Sequence, residues 1–189
     1  MSVGRTLHGR TIGLYGYGRI AGTVASYANA FEMDVRWWGS RDGRARAEAD
    51  GAIVADSRQS FFAESDVVSL HVRLRPGTRG IITAQDLALM DPSALFVNTS
   101  RAALLESGAL IKALANGRPG FAALDVFDSE PVVDSSDPLI MHPNVVCTPH
   151  IGYVTEDELD RQFGDIYDQI LAFVEGTPIN VVNSVVLDL

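Results

Sequence analysis

The chain predicts an α/β fold of the Rossmann type, a doubly wound parallel sheet with helices on both faces. Three observations carry this. Short apolar runs alternate with helical patterns almost from end to end. The first run opens into a glycine turn and then a helix, and residues able to do chemistry stand directly after later runs. At 189 residues, 47% hydrophobic and 21% charged, the chain has the size and composition of one ordinary globular domain. A formal net charge of −9 disfavours a nucleic-acid or anionic-membrane surface. Cys147 is the single cysteine, which excludes an internal disulfide and a cysteine-based metal cluster, and no metal site is expected. No apolar run approaches the ~20 residues of a membrane span. Residues 1–10 lack the apolar stretch of a signal peptide, so a cytoplasmic location is expected.

The opening stretch, residues 11–29, organises the rest. Residues 11–15 read as a buried strand, Gly16-Tyr17-Gly18 as a turn, and a helix follows from about Arg19 to about Phe31. Gly16 permits the tight turn, Gly18 lets the backbone approach a pyrophosphate, and Ala21 lets the helix lie close on its strand. This is the G-x-G-x-x-[G/A] pattern of a dinucleotide site, with phosphates on the helix N-terminus. Residues 35–38 form the second strand, stopped by Gly39; 39–43 read as a turn and 45–49 as a short helix. A short third strand is expected at Ile53-Val54, a helix at 57–64, and a buried strand at 67–71. Pro76-Gly77 marks a loop, and Thr83 with Asp86 caps a helix running through Met90. A strand at 95–98, a helix at 107–116 closed by Gly117, and strands at 121–126 and 145–148 follow. The longest helix, 155–175, carries Leu159, Phe163, Ile166, Tyr167, Ile170 and Phe173 on one broad apolar face.

In such a sheet ligands bind at the C-terminal ends of the strands. The acid that usually ends the second strand and binds the adenosine ribose would fall at Gly39, and it is absent. Ser40 and Arg41 stand beyond it, a hydroxyl and a guanidinium that suit a ribose 2′-phosphate or else belong to a solvated turn. NAD and NADP both remain open. Asn98-Thr99-Ser100-Arg101 ends a strand with a natural clamp for a carboxylate, and Asp125 to Glu130 follows another strand with three carboxylates. Thr148-Pro149-His150-Ile151-Gly152 places a histidine in a stiff turn after the next. Singly, Arg101 reads as a surface cation, Glu130 as a loop acid and His150 as a packed histidine. Together they share the rim that the glycine turn marks as the ligand side.

The segments GYGRIAG (16–22), DVVSLHVRLRPGTRGII (66–82), LFVNTSR (95–101), ALDVFDSEP (123–131) and PNVVCTPHIGYVTE (143–156) together resemble the D-isomer-specific 2-hydroxyacid dehydrogenases, a family that includes D-3-phosphoglycerate dehydrogenases. The resemblance implies an NAD(P)-dependent oxidoreductase interconverting a 2-oxo acid and a D-2-hydroxy acid. It assigns the catalytic roles to Arg101, Glu130 and His150: His150 exchanges a proton with the substrate oxygen, Glu130 pairs with the imidazole and favours its charged form, and Arg101 holds the substrate. It implies cofactor contacts by Tyr17, Gly18, Arg19, Ile20, Ser40, Arg41, His71, Val72, Thr99, Ser100, Arg101, Asp125, His150 and Gly152, with Asp125 on the nicotinamide carboxamide. Glu130 stands where a formate dehydrogenase carries Gln.

Two departures from the family pattern are evident: Gly39 replaces the NAD-selecting acid, and Ala102-Ala103 replaces a Gly-Pro or Gly-Ala pair. The resemblance further implies that most of a substrate domain, which family members place before the region of residues 6–10, is missing. Residues 1–154 then form the dinucleotide-binding domain, and 155–189 resemble the pieces that return to the substrate domain. The final helix would lose its cover, and dimerisation would run through the cofactor domain. The competing expectation is a dinucleotide-binding module or remnant without turnover, acting through its cofactor or a partner.

Overall fold

The computed structural model describes residues 4–185. The expected domain spans, 1–154 and 155–189, begin and end outside the described residues. Residues through His150 form one compact unit and those from Ile151 onward a second.

The first unit is built on six parallel strands: β1 (Thr11–Tyr15), β2 (Asp34–Trp38), β3 (Val67–Leu70), β4 (Leu95–Asn98), β5 (Phe121–Leu124) and β6 (Val145–Cys147). Their order is β2-β1-β3-β4-β5-β6. The chain steps outward from β1 to β2 and then returns across β1 to β3, so the order reverses between β1 and β3 and leaves a crevice at their C-terminal ends. The helices are α1 (Arg19–Ala30), α2 (Arg41–Ala49), α3 (Arg58–Ala63), α4 (Ala84–Leu89) and α5 (Ala109–Ala115), with short 3-10 turns at Pro76–Thr78 and Ala102–Leu104.

Alternation along β1 divides the core in two. Ile12 and Leu14 pack with Ala21, Ala25 and Ala28 of α1 and Ala47 of α2. Tyr15 faces the other way, into the larger cluster of Phe61, Phe62, Leu87, Phe96 and Leu110 under α3, α4 and α5. Gly13 points to that second side too, where a Cβ would come within 2.5 Å of the Ser65 hydroxyl. This is the doubly wound arrangement, with helices on both faces of the sheet.

Three local readings need correction. Ile53-Val54 is not a strand: Val54 makes only a single parallel bridge, to Trp37 of β2. The segment 39–43 is not a turn, because the Ser40 hydroxyl accepts from the Gly43 N–H at 3.1 Å and starts α2 at Arg41. Strand β3 stops at Leu70 and β5 at Leu124, which leaves His71 and residues 125–126 on the rim rather than in the ladder.

The second unit contains α6 (Glu156–Val174), opened by the Thr155 hydroxyl accepting from the Glu158 N–H at 3.1 Å. Glu156, Asp157 and Glu158 complement the positive end of its dipole. No residue of α6 is buried; Phe163 is 54% and Phe173 73% exposed. Among the described residues no helix is long and apolar enough to cross a membrane.

Candidate active site

The glycine turn lies at the crevice between β1 and β3. Gly16 has φ +118°, and a Cβ there would fall 2.7 Å from the His71 carbonyl oxygen. Gly16 is therefore required by the protein itself. Gly18 differs: its backbone is extended, at φ −152°, and a Cβ would meet nothing within 4 Å. The space beside Gly18 is open for a ligand. Gly18 also precedes α1 without a side-chain cap, and the first turn of α1 holds no acid. An uncapped helix start of this kind presents N–H donors to an anion, and so fits the pyrophosphate of a dinucleotide. Arg19 and Ile20 are exposed on that turn, Ile20 by 73%.

The side chain of Tyr17 turns to α2. Its hydroxyl donates to Asp50 Oδ2 at 2.6 Å, its carbonyl accepts from Arg46 Nη2 at 3.2 Å, and its ring meets Trp37 edge-on with centroids 4.8 Å apart. Ser40 is the cap of α2 and Arg41 its exposed first residue. Across the crevice, His71 Nε2 lies 3.0 Å from the Ser69 hydroxyl. Burial pushes the His71 pKa down, so the ring is neutral at pH 7. The Val72 carbonyl accepts from the Ser100 hydroxyl at 3.3 Å, joining this rim to the loop after β4.

Asn98, buried at the end of β4, shapes that loop. Its amide donates to the Arg101 carbonyl at 2.9 Å and its oxygen accepts from the Ser100 N–H at 3.0 Å. Thr99 and Arg101 are thereby left exposed, the Arg101 guanidinium donating to the Ser100 carbonyl at 2.5 Å. Asp125 is buried beyond β5 and accepts from the Thr148 hydroxyl at 2.5 Å.

His150 Nδ1 lies 2.7 Å from Glu130 Oε2, although the two are twenty residues apart. His150 adopts φ +57°, uncommon for a non-glycine residue and a sign of a position held by its surroundings. Glu130 Oε1 accepts from the Phe127 N–H at 2.8 Å. The His150 hydrogen bond, the Phe127 N–H and the charges of His150 and Arg101 hold the Glu130 carboxyl below its usual range, so it is an anion near neutral pH. A cavity of about 320 Å³ lies beside this loop, lined by Asn98, Ala102, Leu110, Leu124, Phe127 and Leu139 among others, but neither Arg101 nor His150 lines it. Gly152 lies in the second unit.

The supporting residues Asn98, Thr148, Asp50 and Arg46 escaped the sequence reading. Asn98 alone had a local signal, an amide ending an apolar strand. The others act through partners 23 to 33 residues away.

The profile of the D-isomer specific 2-hydroxyacid dehydrogenase, NAD binding domain, matches residues 1–152. The chain belongs to this family. Glyoxylate reductase of Thermococcus litoralis is 39% identical over 189 residues, covering 99% of this chain and 56% of that protein. A Ralstonia solanacearum crystal structure, a candidate D-3-phosphoglycerate dehydrogenase, is 46% identical and superposes with a TM-score of 0.91 over 98% of this chain and 54% of that one. The NAD-complexed D-isomer specific 2-hydroxyacid dehydrogenase of Lactobacillus delbrueckii ssp. bulgaricus is 28% identical, with a TM-score of 0.75 over 95% of this chain and 58% of that one. The chain spans about half the length of the curated glyoxylate reductases of Thermococcus litoralis and Aeropyrum pernix. Members of this family bind a nicotinamide dinucleotide in the domain that this chain matches.

Proposed function

We propose that this chain carries the cofactor-binding and proton-transfer half of an NAD(P)-dependent enzyme that interconverts a small 2-oxo acid and a D-2-hydroxy acid. The observation that carries this reading is the 2.7 Å His150–Glu130 pair on the same rim as the glycine turn. Gly18 and the first turn of α1 hold the pyrophosphate, and Asp125 the nicotinamide carboxamide. His71, Val72, Thr99 and Ser100 line the path between them. The bound cofactor supplies or accepts the hydride. Glu130 fixes Nδ1 of His150, so Nε2 gives a proton to the carbonyl oxygen in reduction and takes it from the hydroxyl in oxidation. Arg101 holds the acid by its carboxylate or carbonyl and favours the developing negative charge. The family resemblance supports a homodimer formed through the cofactor domain, and the single Cys147 is in keeping with a reducing cytoplasm.

The test is fluorescence titration with NADPH and NADH, followed in the same cuvette by glyoxylate or hydroxypyruvate. Binding with oxidation is the expected result. Binding without oxidation assigns the chain a cofactor-holding role only, and binding of neither overturns the proposal. His150→Ala should lower turnover by at least about 10²-fold, in the range of general acid–base catalysis, while leaving cofactor affinity unchanged. Undiminished turnover in that variant would sink the proton-transfer role.

A further inference from the structure

Resting on that reading, we infer that Thr148 is a positioning residue for the nicotinamide end, its hydroxyl orienting Asp125 toward the carboxamide beside the turn that carries His150. Asp125 is 3% exposed just past β5, and its N–H donates to the Asn98 carbonyl at 3.1 Å, so β4 fixes its backbone. Its side chain is held from the opposite flank, by the end of β6. The Thr148 hydroxyl donates to Asp125 Oδ1 at 2.5 Å, across 23 residues of sequence. Holding Oδ1 fixes the plane of the carboxylate, and with it the direction in which Oδ2 points. A carboxylate only accepts, whereas a carboxamide brings two N–H donors, so that direction sets where the amide and its ring come to rest.

Three groups of Thr148 are committed, each to a different task. Its N–H donates to the Leu124 carbonyl at 2.9 Å and continues the pairing of β6 with β5. Its hydroxyl goes to Asp125, the next residue along. Its carbonyl accepts from the His150 N–H at 3.0 Å, closing a three-residue turn around Pro149, whose ring fixes φ. After that turn His150 stands at φ +57° with Nδ1 2.7 Å from Glu130 Oε2. One residue therefore touches both the acceptor assigned to the carboxamide and the turn of the proton donor. Hydride and proton reach adjacent atoms of the substrate, the carbonyl carbon and its oxygen, so the two donors must keep a fixed spacing. Asn98, Asp125, Thr148 and His150 supply it as a continuous strip of hydrogen bonds across the ends of β4, β5 and β6.

The rival reading is a stitch that only holds β6, a three-residue edge strand with Val146 67% exposed, against β5. Thr148→Val separates the two. Thr148 is exposed, so the change keeps the side-chain shape, removes the hydroxyl and leaves the N–H bond to Leu124 in place.

The experiment is isothermal calorimetry on the whole chain with NAD, NADP and the 3-acetylpyridine analogue of each, in which a methyl ketone keeps the carbonyl and lacks the amide N–H. The parent should bind the better carboxamide dinucleotide at least about fivefold more tightly than its analogue, the scale of one hydrogen bond to a charged acceptor. Thr148→Val should cut that ratio about two- to fivefold, by weakening the carboxamide dinucleotide and leaving the analogue unchanged. Thr148→Ser, which keeps the hydroxyl, should hold the parent ratio. Thr148→Val added to Asp125→Ala should change the ratio no further than Asp125→Ala alone. The parent ratio in Thr148→Val, or equal weakening of both ligands, overturns the inference and leaves a stitch. An additive loss in the double variant overturns it too, since Thr148 would then act apart from Asp125. Failure of the underlying reading looks different: either no dinucleotide binds the parent, or Asp125→Ala leaves the parent ratio intact, and the inference falls with it.

Discussion

Gly16 and Gly18 look equivalent in the sequence and are not equivalent in the fold. At Gly16 a side chain meets the His71 carbonyl and a positive φ. Gly16→Ala should therefore destabilise the chain by about 2 kcal/mol or more, read from urea unfolding. At Gly18 a side chain meets only open space. Gly18→Ala should unfold at the same urea concentration as the parent yet bind NADPH and NADH at least about tenfold more weakly, because only the ligand needs that space. A Gly18→Ala chain with unchanged cofactor affinity would remove the pyrophosphate from this turn. Residues such as these were legible because each motif is short and carries its own order. The role of the Tyr17 side chain was not: its hydroxyl donates to Asp50, 33 residues away. Nothing local to GYG announces that partner.

Elements with large apolar side chains were legible for the same reason that they fold: β1, β3 and β4 are predominantly apolar runs, and α4 announces itself through the reciprocal Thr83–Asp86 cap. Helix α2 was blurred because RDGRARAEA turns Gly43 and Ala47 inward and so offers no apolar stripe. A second illegible feature ties elements together. Arg58 at the start of α3 donates to both oxygens of Asp86 in α4, at 2.6 and 2.7 Å, and to the Tyr15 hydroxyl of β1 at 2.9 Å. Burial alone would raise the Asp86 pKa, but hydrogen bonds from Arg58 and Thr83, with the charge of Arg58, outweigh it and hold the carboxyl below its ordinary 3.8. Arg58 is itself one-third exposed, which moderates the loss when it is removed. Arg58→Met should cost about 2 kcal/mol at pH 7, since it strands the Asp86 charge. The pH dependence has a definite sign: a depressed carboxyl stabilises the fold above 3.8, and that contribution fades as the pH falls below it. Urea unfolding at pH 7 and pH 3 should show a smaller acid-induced loss in Arg58→Met than in the parent. An equal loss would mean that the pair contributes nothing to acid stability.

At the scale of the molecule, two charge distributions compete over one ligand. The chain carries a formal net charge of −9, which repels a dinucleotide at long range. Arg41, Arg44 and Arg46 of α2 are matched in number by Asp42, Glu48 and Asp50, so charge cancels over residues 41–50. At the start of α2, beside Gly39, Arg41 and Arg44 outnumber Asp42, and the balance there is positive within a negative whole. Salt screens both, over a Debye length of about 10 Å at roughly 0.1 M, but not equally in effect. If long-range repulsion governs, added KCl tightens cofactor binding. If the arginines govern, it weakens binding, and more for the ligand that carries the extra phosphate. A dinucleotide that reaches the start of α2 gives the second outcome, since a guanidinium next to a phosphate acts at a shorter distance than acids spread over the remaining surface. NADPH affinity should then fall about three- to tenfold between roughly 0.05 M and 0.5 M KCl, with a shallower fall for NADH. Titrations at four salt concentrations decide this, and parallel slopes for the two cofactors would show that the 2′-phosphate lies outside the reach of the arginine cluster.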